Sequence, residues 1–530
     1  MIRVRQVEVD VNNATDDNIK KAIAKKLKIS LNEIKNFKIN KESIDARFKP
    51  NIKYIYEVDA DVENESRILT IKSNDILKTP NEEYVFKPSG ENPLKHRPII
   101  VGSGPAGLFC AYMLAKEGYK PIIIERGEKV EERIKTVETF WQTGKLNPNS
   151  NVQFGEGGAG TFSDGKLNTL VKDPEKRAKL IFETFVRNGA NPNILYSNKP
   201  HIGTDVLVNV VRNMRNEIVN MHGEFRYNTT LTDIIIENKK VKSVILNGNE
   251  EVENDILVLA IGHSARDTFK VLLDRNLDLQ PKPFAVGVRI QHSQEMIDLS
   301  QYGVKNHPKL GASSYKLTYH TSNNRGVYTF CMCPGGFVVN ASSETNRLAI
   351  NGMSYSKRDS GNANSAVLVT IGPEDYGNSP LDGIEFQRNL EEKAFLKGNG
   401  KIPVQLLKDY KNHKISNEYG NINPRFKGET NFCDLNEILP DYINFALKEG
   451  IDAFGKKIKG FDDDDSVLAA VESRTSSPVR IVRDEFGESN IKGIYPCGEG
   501  AGYAGGITSA AIDGIKIYEL IAQKYKNFNN

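Results

Sequence analysis

Pro98-Ile-Ile-Val-Gly102-Ser-Gly104-Pro-Ala-Gly107-Leu-Phe-Cys-Ala-Tyr-Met-Leu-Ala-Lys-Glu-Gly118 decides the fold of this 530-residue chain. A short apolar strand runs into a glycine-rich turn and then into a helix that ends near Gly118. A second strand, Pro121 to Ile124, ends at Glu125. Each glycine has a separate reason: Gly102 permits the tight turn, Gly104 lets the backbone approach a pyrophosphate, and Gly107 lets the helix pack against the strand. Pro105 and Ala106 open the helix, whose free N–H groups and partial positive charge suit phosphate oxygens. Glu125 lies 21 residues after Gly104, where a carboxylate can accept from both ribose hydroxyls and repel a 2′-phosphate. Alone, the spacing is weak; with the strand before it and the helix after it, the stretch reads as a dinucleotide-binding turn.

The same spacing recurs in Gly155-Glu-Gly157-Gly158-Ala-Gly160. We reject this as a second fingerprint. Asn149 to Phe154 makes a poor buried strand, and Thr161-Phe-Ser-Asp-Gly165 is no helix start. It reads as a flexible loop whose amides reach the same ligand.

Further out, Ile2, Val4, Val7, Val9 and Val11 nearly alternate with polar residues, as on a half-buried strand. Asp16 to Leu27 has helical spacing, and Ser30-Leu-Asn-Glu33 matches a capping box opening a short helix. Phe37 to Arg47 and Ile52 to Val62 read as a strand pair, which gives an α+β unit of about 65 residues. Glu63 to Arg97 reads partly as a linker. Asp173 and Pro174 read as N-cap and first residue of a helix closed by Gly189. Leu207 to Met221 marks another helix. Tyr227 to Glu237, Lys240 to Asn247 and Asp255 to Ile261 read as strands. From Lys282 to Val479 the pattern is mixed and β-rich, and Asp462 to Asp465 reads as a solvated acidic loop.

Composition excludes several classes. Lys and Arg number 71 against 68 Asp and Glu, which is not the balance of a strongly basic nucleic-acid binder. No apolar run approaches the ~20 residues of a membrane span. The N-terminus lacks the apolar stretch of a signal peptide. Five cysteines are too few for a disulfide framework. We therefore expect a cytoplasmic protein that does not enter a membrane.

The C-terminal segment narrows the reading. Gly493-Ile-Tyr-Pro-Cys-Gly498-Glu499-Gly500-Ala-Gly502-Tyr-Ala-Gly505-Gly506-Ile507 forms a strand, an acidic turn and a helix start roughly 400 residues after the first fingerprint. A nicotinamide domain needs no such return; the arrangement resembles flavoproteins of the glutathione-reductase-like class. Leu231, in Glu224 to Ile234, matches that class's adenine-contacting strand. Asp255-Ile-Leu-Val-Leu-Ala260-Ile261-Gly262 resembles its strand ending in Ala-Thr-Gly, with Ile261 in place of Thr. The resemblance implies FAD, bound by Gly102, Gly104, Pro105, Ala106, Gly107, Glu125, Arg126, Gly157, Gly158, Gly160, Leu231, Ala260, Gly262, Gly498, Glu499, Gly505, Gly506 and Ile507. It also implies that the acidic turn holds the ribityl chain and the last helix points at the flavin pyrimidine.

More narrowly, Gly155 to Leu167, Pro200-His-Ile-Gly-Thr-Asp205, Phe330-Cys-Met-Cys-Pro-Gly-Gly336, Arg474-Thr-Ser-Ser-Pro-Val-Arg480 and the N-terminal unit resemble an uncharacterised bacterial family of FAD-dependent dehydrogenases. That resemblance implies an α/β fold. It comprises a three-layer ββα Rossmann-like FAD domain (95–275 plus 485–530), an inserted β-rich α+β substrate domain (276–484) and a small α+β module (1–90).

Candidate chemistry is sparser. Cys331 and Cys333 could exchange with a disulfide or be reduced by a flavin. The plainer reading is two small residues on a strand, since i and i+2 lie ~6–7 Å apart and a disulfide prefers Cα atoms about 5.5–6 Å apart. They are not a zinc site, because no second Cys pair or His pair stands near, and we assign no metal. His201 is a candidate acid/base, with helix capping as the alternative, and His263 follows Gly262. Arg289, Arg474 and Arg480 could clamp a substrate carboxylate or phosphate, or form structural ion pairs. Arg126, Lys145 and Lys166 could help neutralise pyrophosphate.

No second nucleotide domain is legible, so NAD(P)H could bind transiently over the flavin, or the organic substrate itself could donate hydride. The main expectation is an FAD-dependent oxidoreductase acting on a small molecule. Two alternatives stand beside it. One is a flavin-dependent RNA-modifying enzyme that binds nucleic acid through Lys20, Lys21, Lys25, Lys26 and Lys28. The other is a non-catalytic FAD-binding redox sensor. Oligomeric state is not legible.

Overall fold

The computed structural model describes residues 1–528. At its centre is a five-stranded parallel sheet in the order Ile494–Pro496, Leu257–Leu259, Ile99–Val101, Ile122–Ile124, Glu224–Arg226. The first four strands are fully buried, three-residue runs dominated by Ile, Leu and Val, as expected where both faces of a sheet are covered. Helices Pro105–Lys116, Arg177–Arg187, Thr204–Asn220 and Ile507–Lys524 cover one face. The antiparallel strands Leu231–Glu237, Lys240–Leu246 and Glu250–Glu253, with helix Arg266–Asp274, cover the other. This is the expected three-layer ββα arrangement.

Pro105–Lys116 shows why its sequence lacks an amphipathic stripe: every residue from Ala106 to Ala115 is buried. The helix is sandwiched between the sheet and the C-terminal helix, and an all-round apolar sequence is the pattern of a core helix. The crossing is close. A Cβ on Gly514 would lie 2.2 Å from the Ala106 carbonyl oxygen.

The chain leaves this domain through Leu279–Pro281 and returns through Val479–Ile481, which pair with each other antiparallel. Between them stands a mixed seven-stranded sheet. Its order is Thr318–His320, Gly326–Cys333, Asn362–Ile371, Phe284–Ser293, Val467–Glu472, Ile402–Leu406, Thr430–Phe432. Helices including Gln294–Tyr302, Asp382–Lys397 and Asp441–Gly455 accompany it.

The N-terminal module has strand order Ile34–Asp45, Lys53–Val62, Ile2–Asp10, Ile76–Lys78, with helix Asp16–Leu27 packed on it. The slip in alternation between Val4 and Val7 is a bulge, with Gln6 at φ +52°. Ile76–Lys78 adds a strand that the sequence pattern did not show. The stretch read as a linker is fastened down: Tyr84 Oη donates to Glu519 at 2.9 Å, and Phe86 meets Tyr518 edge-on.

Two helix starts differ from expectation. The capping box at Ser30 is made, with Ser30 N–H donating to Glu33 Oε2 at 2.8 Å, but it holds a single 3-10 turn, Leu31–Glu33. The helix expected from Pro174 begins at Arg177, after Lys176 in the left-handed region (φ +62°). Asp173 still caps it, accepting from Ala178 N–H at 2.7 Å, while Arg177 is drawn into a buried pair with Glu519 at 2.9 Å. That long-range partner is invisible in the local sequence.

Candidate functional site

A cavity of about 360 Å³ runs across the carboxyl ends of four neighbouring strands of the parallel sheet. Glu125 follows Ile122–Ile124, Gly102 follows Ile99–Val101, Ala260 follows Leu257–Leu259, and Cys497 and Glu499 follow Ile494–Pro496. This edge is where open α/β sheets take ligands. Arg126, Thr229, Thr230, Leu231 and Thr268 line the cavity beside Glu125. Ser163 to Lys166 and Asn168 line it near the start of the C-terminal helix, where Thr508 Oγ1 donates to the Leu167 carbonyl at 2.8 Å. The inserted domain closes it with Phe330, Cys331, Cys333, Asn351, Gly352, Glu472, Arg474 and Thr475.

Two helix N-termini open onto this cavity, at Gly104 to Ala106 and at Gly505 to Ile507. Their first N–H groups have no partner within the helix, which makes each a natural anion site. The glycines divide by what a side chain would strike. A Cβ on Gly102 would lie 2.3 Å from the Ala260 carbonyl oxygen, and one on Gly107 1.9 Å from that of Gly102. Gly104 faces only Gly158 Cα at 3.8 Å, and Gly262 and Gly505 face nothing within 4 Å. Those three are a cradle that side chains would fill, so the cavity wall there is bare backbone.

The loop Gly155 to Gly160 is not the flexible strap expected. It is wound on Arg133, whose side chain is fully buried. The guanidinium donates to five backbone carbonyls: Asn151 (2.9 Å), Val152 (3.0 Å), Gly155 (3.1 Å), Glu156 (2.7 Å) and Gly158 (3.0 Å). Gly155 sits at φ +116°, and a Cβ there would lie 2.4 Å from Arg133 Cδ. Burial pulls the guanidinium down to about 10, against the attraction of Glu125, Glu156 and Glu128, so it stays charged at neutral pH. Sequence reasoning missed Arg133. The signal was present: Val130, Arg133, Val137 and Phe140 share one face of helix Val130–Thr143, and all are buried.

Glu125 also departs from expectation. Oε2 accepts from Ser103 N–H (3.0 Å) and Oγ (2.7 Å); Oε1 accepts from Gly127 N–H (3.0 Å) and Gly155 N–H (3.0 Å). Four donors meet the roughly four lone-pair sites of a carboxylate. In this arrangement Glu125 ties three loops together and has no acceptor site left for ribose hydroxyls.

The remaining candidates separate cleanly. Gly158, Gly160, Ala260, Gly262, Glu499, Gly505, Gly506, Ile507, Leu231 and Arg126 line the cavity; Gly107, Gly157 and Gly498 do not. Gly157 packs toward Thr161 and Gly498 toward Ala106, so their roles are in backbone geometry. Arg289 is no substrate clamp. It is fully buried and bound to Glu472 (2.8 Å), Asn364 (2.7 Å), Asn351 (3.0 Å) and the Cys331 carbonyl (3.2 Å). Arg480 lies off the cavity, donating to the Gly502 carbonyl at 3.2 Å. Arg474 lines it but is paired with Glu391 at 2.7 Å. His201 is also off the cavity, beside the Ser356 carbonyl, with its imidazole lowered by burial and then by Arg358.

Cys331 opens onto the cavity from a bulge, at φ +42°, where the register shifts between Phe330 and Cys333. Its thiol is exposed to the cavity, and desolvation by the surrounding wall raises it while Lys166 and Arg289 oppose the rise. His263 lines the cavity and is held neutral, lowered to about 3 by burial and then by Arg474 and Arg266. Glu499, also at the wall, is pushed up to about 7 by burial, with Lys282 opposing.

Residues 96–271 match the family described as "Pyridine nucleotide-disulphide oxidoreductase", and residues 283–475 match "FAD-dependent protein, C-terminal domain-like". Residues 1–61 match a domain of unknown function. An uncharacterized protein of Clostridium beijerinckii is 49% identical over 526 residues, covering 97% of this chain and 98% of that relative. The chain belongs to an uncharacterised family of FAD-dependent oxidoreductases. FAD is the cofactor of this oxidoreductase.

Solved structures similar to the oxidoreductase include E. coli quinol fumarate reductase (10% identity, 82% of this chain, 70% of that chain, TM-score 0.36). Others are glycerol-3-phosphate dehydrogenase from Bacillus halodurans complexed with FAD (11%, 82% and 65%, TM-score 0.34) and L-proline dehydrogenase from P. horikoshii (13%, 81% and 94%, TM-score 0.34). The cavity suits the cofactor of this FAD-dependent oxidoreductase. Its bare-glycine cradle and two helix N-termini present N–H donors to a pyrophosphate, and its length across four strand ends suits an extended dinucleotide. No helix among the described residues is long and apolar enough to cross a membrane.

Proposed function

We propose that this oxidoreductase is a cytoplasmic dehydrogenase that passes hydride between FAD and a small organic substrate held beneath the inserted domain. The observation that carries the reading is one cavity lined from both sides: a bare-glycine cradle with polar side chains such as Arg126 and Lys166 from residues 95–275, and Phe330, Cys331, Asn351 and Arg474 from the inserted region. FAD, when bound, supplies the hydride-accepting centre at its N5 position. The chain's own residues then have separable tasks. Gly104 and the N-terminus of Pro105–Lys116 hold the pyrophosphate, with Gly158 opposite. Arg126 and Leu231 flank the adenosine end. The N-terminus of Ile507–Lys524 places positive potential at the flavin pyrimidine, and Glu499 lies near the ribityl chain. Phe330, Cys331 and Asn351 cover the substrate end and exclude water from it. We propose the same domain limits as above: 1–90, 95–275 plus 485–530, and 276–484.

The test is an anaerobic visible spectrum of purified protein before and after NADH or NADPH. Bound flavin that bleaches identifies a nicotinamide-linked reductase. Flavin that stays oxidised excludes nicotinamide as the donor and leaves two readings, a dehydrogenase reduced by its own substrate or a redox sensor. Protein that binds no FAD, even after reconstitution, overturns the reading.

A further inference from the structure

One corner of the cavity is lined by donors without acceptors. Lys166 lines it beside Cys331, and its ammonium has no hydrogen-bond partner among the described residues. Its nearest carboxylate is Asp164, at 3.8 Å. Asp164 is already taken, because Arg358 grips both of its oxygens, with Nε to Oδ1 at 3.1 Å. Lys199 stands close by, donating to Ser314 Oγ at 3.1 Å; partial desolvation and then the charges of Lys166 and Arg358 lower its ammonium. The His201 imidazole is lowered too, by desolvation and then by Arg358, with Asp164 opposing. Three cations therefore face one carboxylate, and Asp205 nearby is spent on Ser356 N–H and Oγ.

A second donor is fixed by the packing beneath. Asn351 lines the cavity, and its Oδ1 accepts from Arg289 Nη2 (3.0 Å) and Gly352 N–H (2.7 Å). The amide orientation is thereby set, and its NH₂ group has no acceptor among the described residues. Glu472, the other acidic residue of this wall, is held by Arg289 at 2.8 Å. Among the described residues Glu499 is the cavity carboxylate without a side-chain partner, and the charge that acts on it is Lys282. A cation whose nearest carboxylate, 3.8 Å away, is already gripped by Arg358, in the same cavity wall as a fixed amide donor, is complementary to a negative group.

We infer that the substrate is a small organic anion, a carboxylate or a phosphate monoester, whose negative group is held by Lys166 and the Asn351 amide. This rests on the dehydrogenase reading above and names the class of molecule that site takes.

The test is calorimetric titration of the holoprotein with benzoate and phenyl phosphate against neutral benzamide, repeated with acetate and inorganic phosphate against acetamide. Flavin content is measured separately by absorbance. At least one anion is expected to bind about tenfold or more tighter than its neutral partner, the scale of one charge-assisted hydrogen bond. Lys166→Met is expected to remove that preference and Lys166→Arg to keep it, each with unchanged flavin content. The carboxylate and phosphate arms tell which anion the site takes. Equal binding of anion and amide, an unchanged preference in Lys166→Met, or no binding by any probe overturns the inference. Absent flavin would instead overturn the cofactor assignment, because calorimetry reads the anion without it.

Discussion

Gly102 to Gly107 and Gly155 to Gly160 carry the same glycine spacing and are built on opposite principles. The first loop is held by its neighbours in the chain. A buried strand precedes it, a helix follows, and Gly102 and Gly107 are glycine because backbone lies 2.3 Å and 1.9 Å from where a Cβ would be. The second has no regular structure before it, and its carbonyls are gathered by one buried arginine from a different helix. The difference teaches that a spacing motif reports local backbone needs, while the partner that satisfies the backbone is chosen by tertiary contacts.

Removing that partner should have the largest effect. Arg133→Leu strands four buried carbonyls and the half-buried one of Gly158, each buried one costing about 1–3 kcal/mol if wholly unmet. We expect destabilisation of about 4 kcal/mol or more, read by urea unfolding, with early proteolysis between 151 and 158. A variant as stable as wild type would break the comparison. Gly107→Ala comes next, because its Cβ meets a carbonyl oxygen: a loss of about 1–3 kcal/mol, the range of overpacking, read from the urea midpoint.

Gly104→Ala should separate folding from binding. Its Cβ would sit at ordinary contact distance from Gly158. Flavin-free protein should keep its stability to within about 0.5 kcal/mol. The FAD Kd, by fluorescence titration, should rise about tenfold or more, or 1.4 kcal/mol. Unchanged affinity would show that Gly104 does not meet the pyrophosphate.

The smallest effect concerns the acidic turn at the other helix N-terminus. Burial raises Glu499 from 4.5 to about 7, so the folded flavin-free chain binds this proton more tightly than the unfolded chain. That contribution to stability is complete below pH 4.5 and is lost as pH rises to about 7. Melting temperature across this window should fall in wild type and flatten in Glu499→Gln. Parallel curves for the two proteins would place the titration elsewhere.

The parts legible in the sequence were those whose cause is local. Ile99–Val101 and Ile122–Ile124 are unbroken apolar runs, and Asp16–Leu27 has a helical stripe with Thr15 capping it. The cavity-lining glycines Gly102, Gly104, Gly158, Gly262, Gly505 and Gly506 were likewise legible as turn and helix-start residues. The residues misjudged or left open are charged side chains whose partners lie far along the chain. Arg289 read as either a substrate clamp or a structural ion pair, and Glu472, 183 residues away, makes it the ion pair. Arg177 moved a helix start by pairing with Glu519, 342 residues on.

By itself, then, the amino-acid order determined the strand–turn–helix core and its glycine-rich turns, while the return of the last strand and helix to that core, and FAD, were implied by the resemblance to flavoproteins. Period and turn chemistry act over a few residues, so they can be read along the chain. Only the tertiary structure decided how the ionic groups are spent: Glu125 and Arg289 saturated, Arg133 holding a loop, Lys166 left sharing Asp164 with Arg358. A buried charge must find its counter-ion or donors wherever the fold places them, and that choice has no signature in sequence spacing.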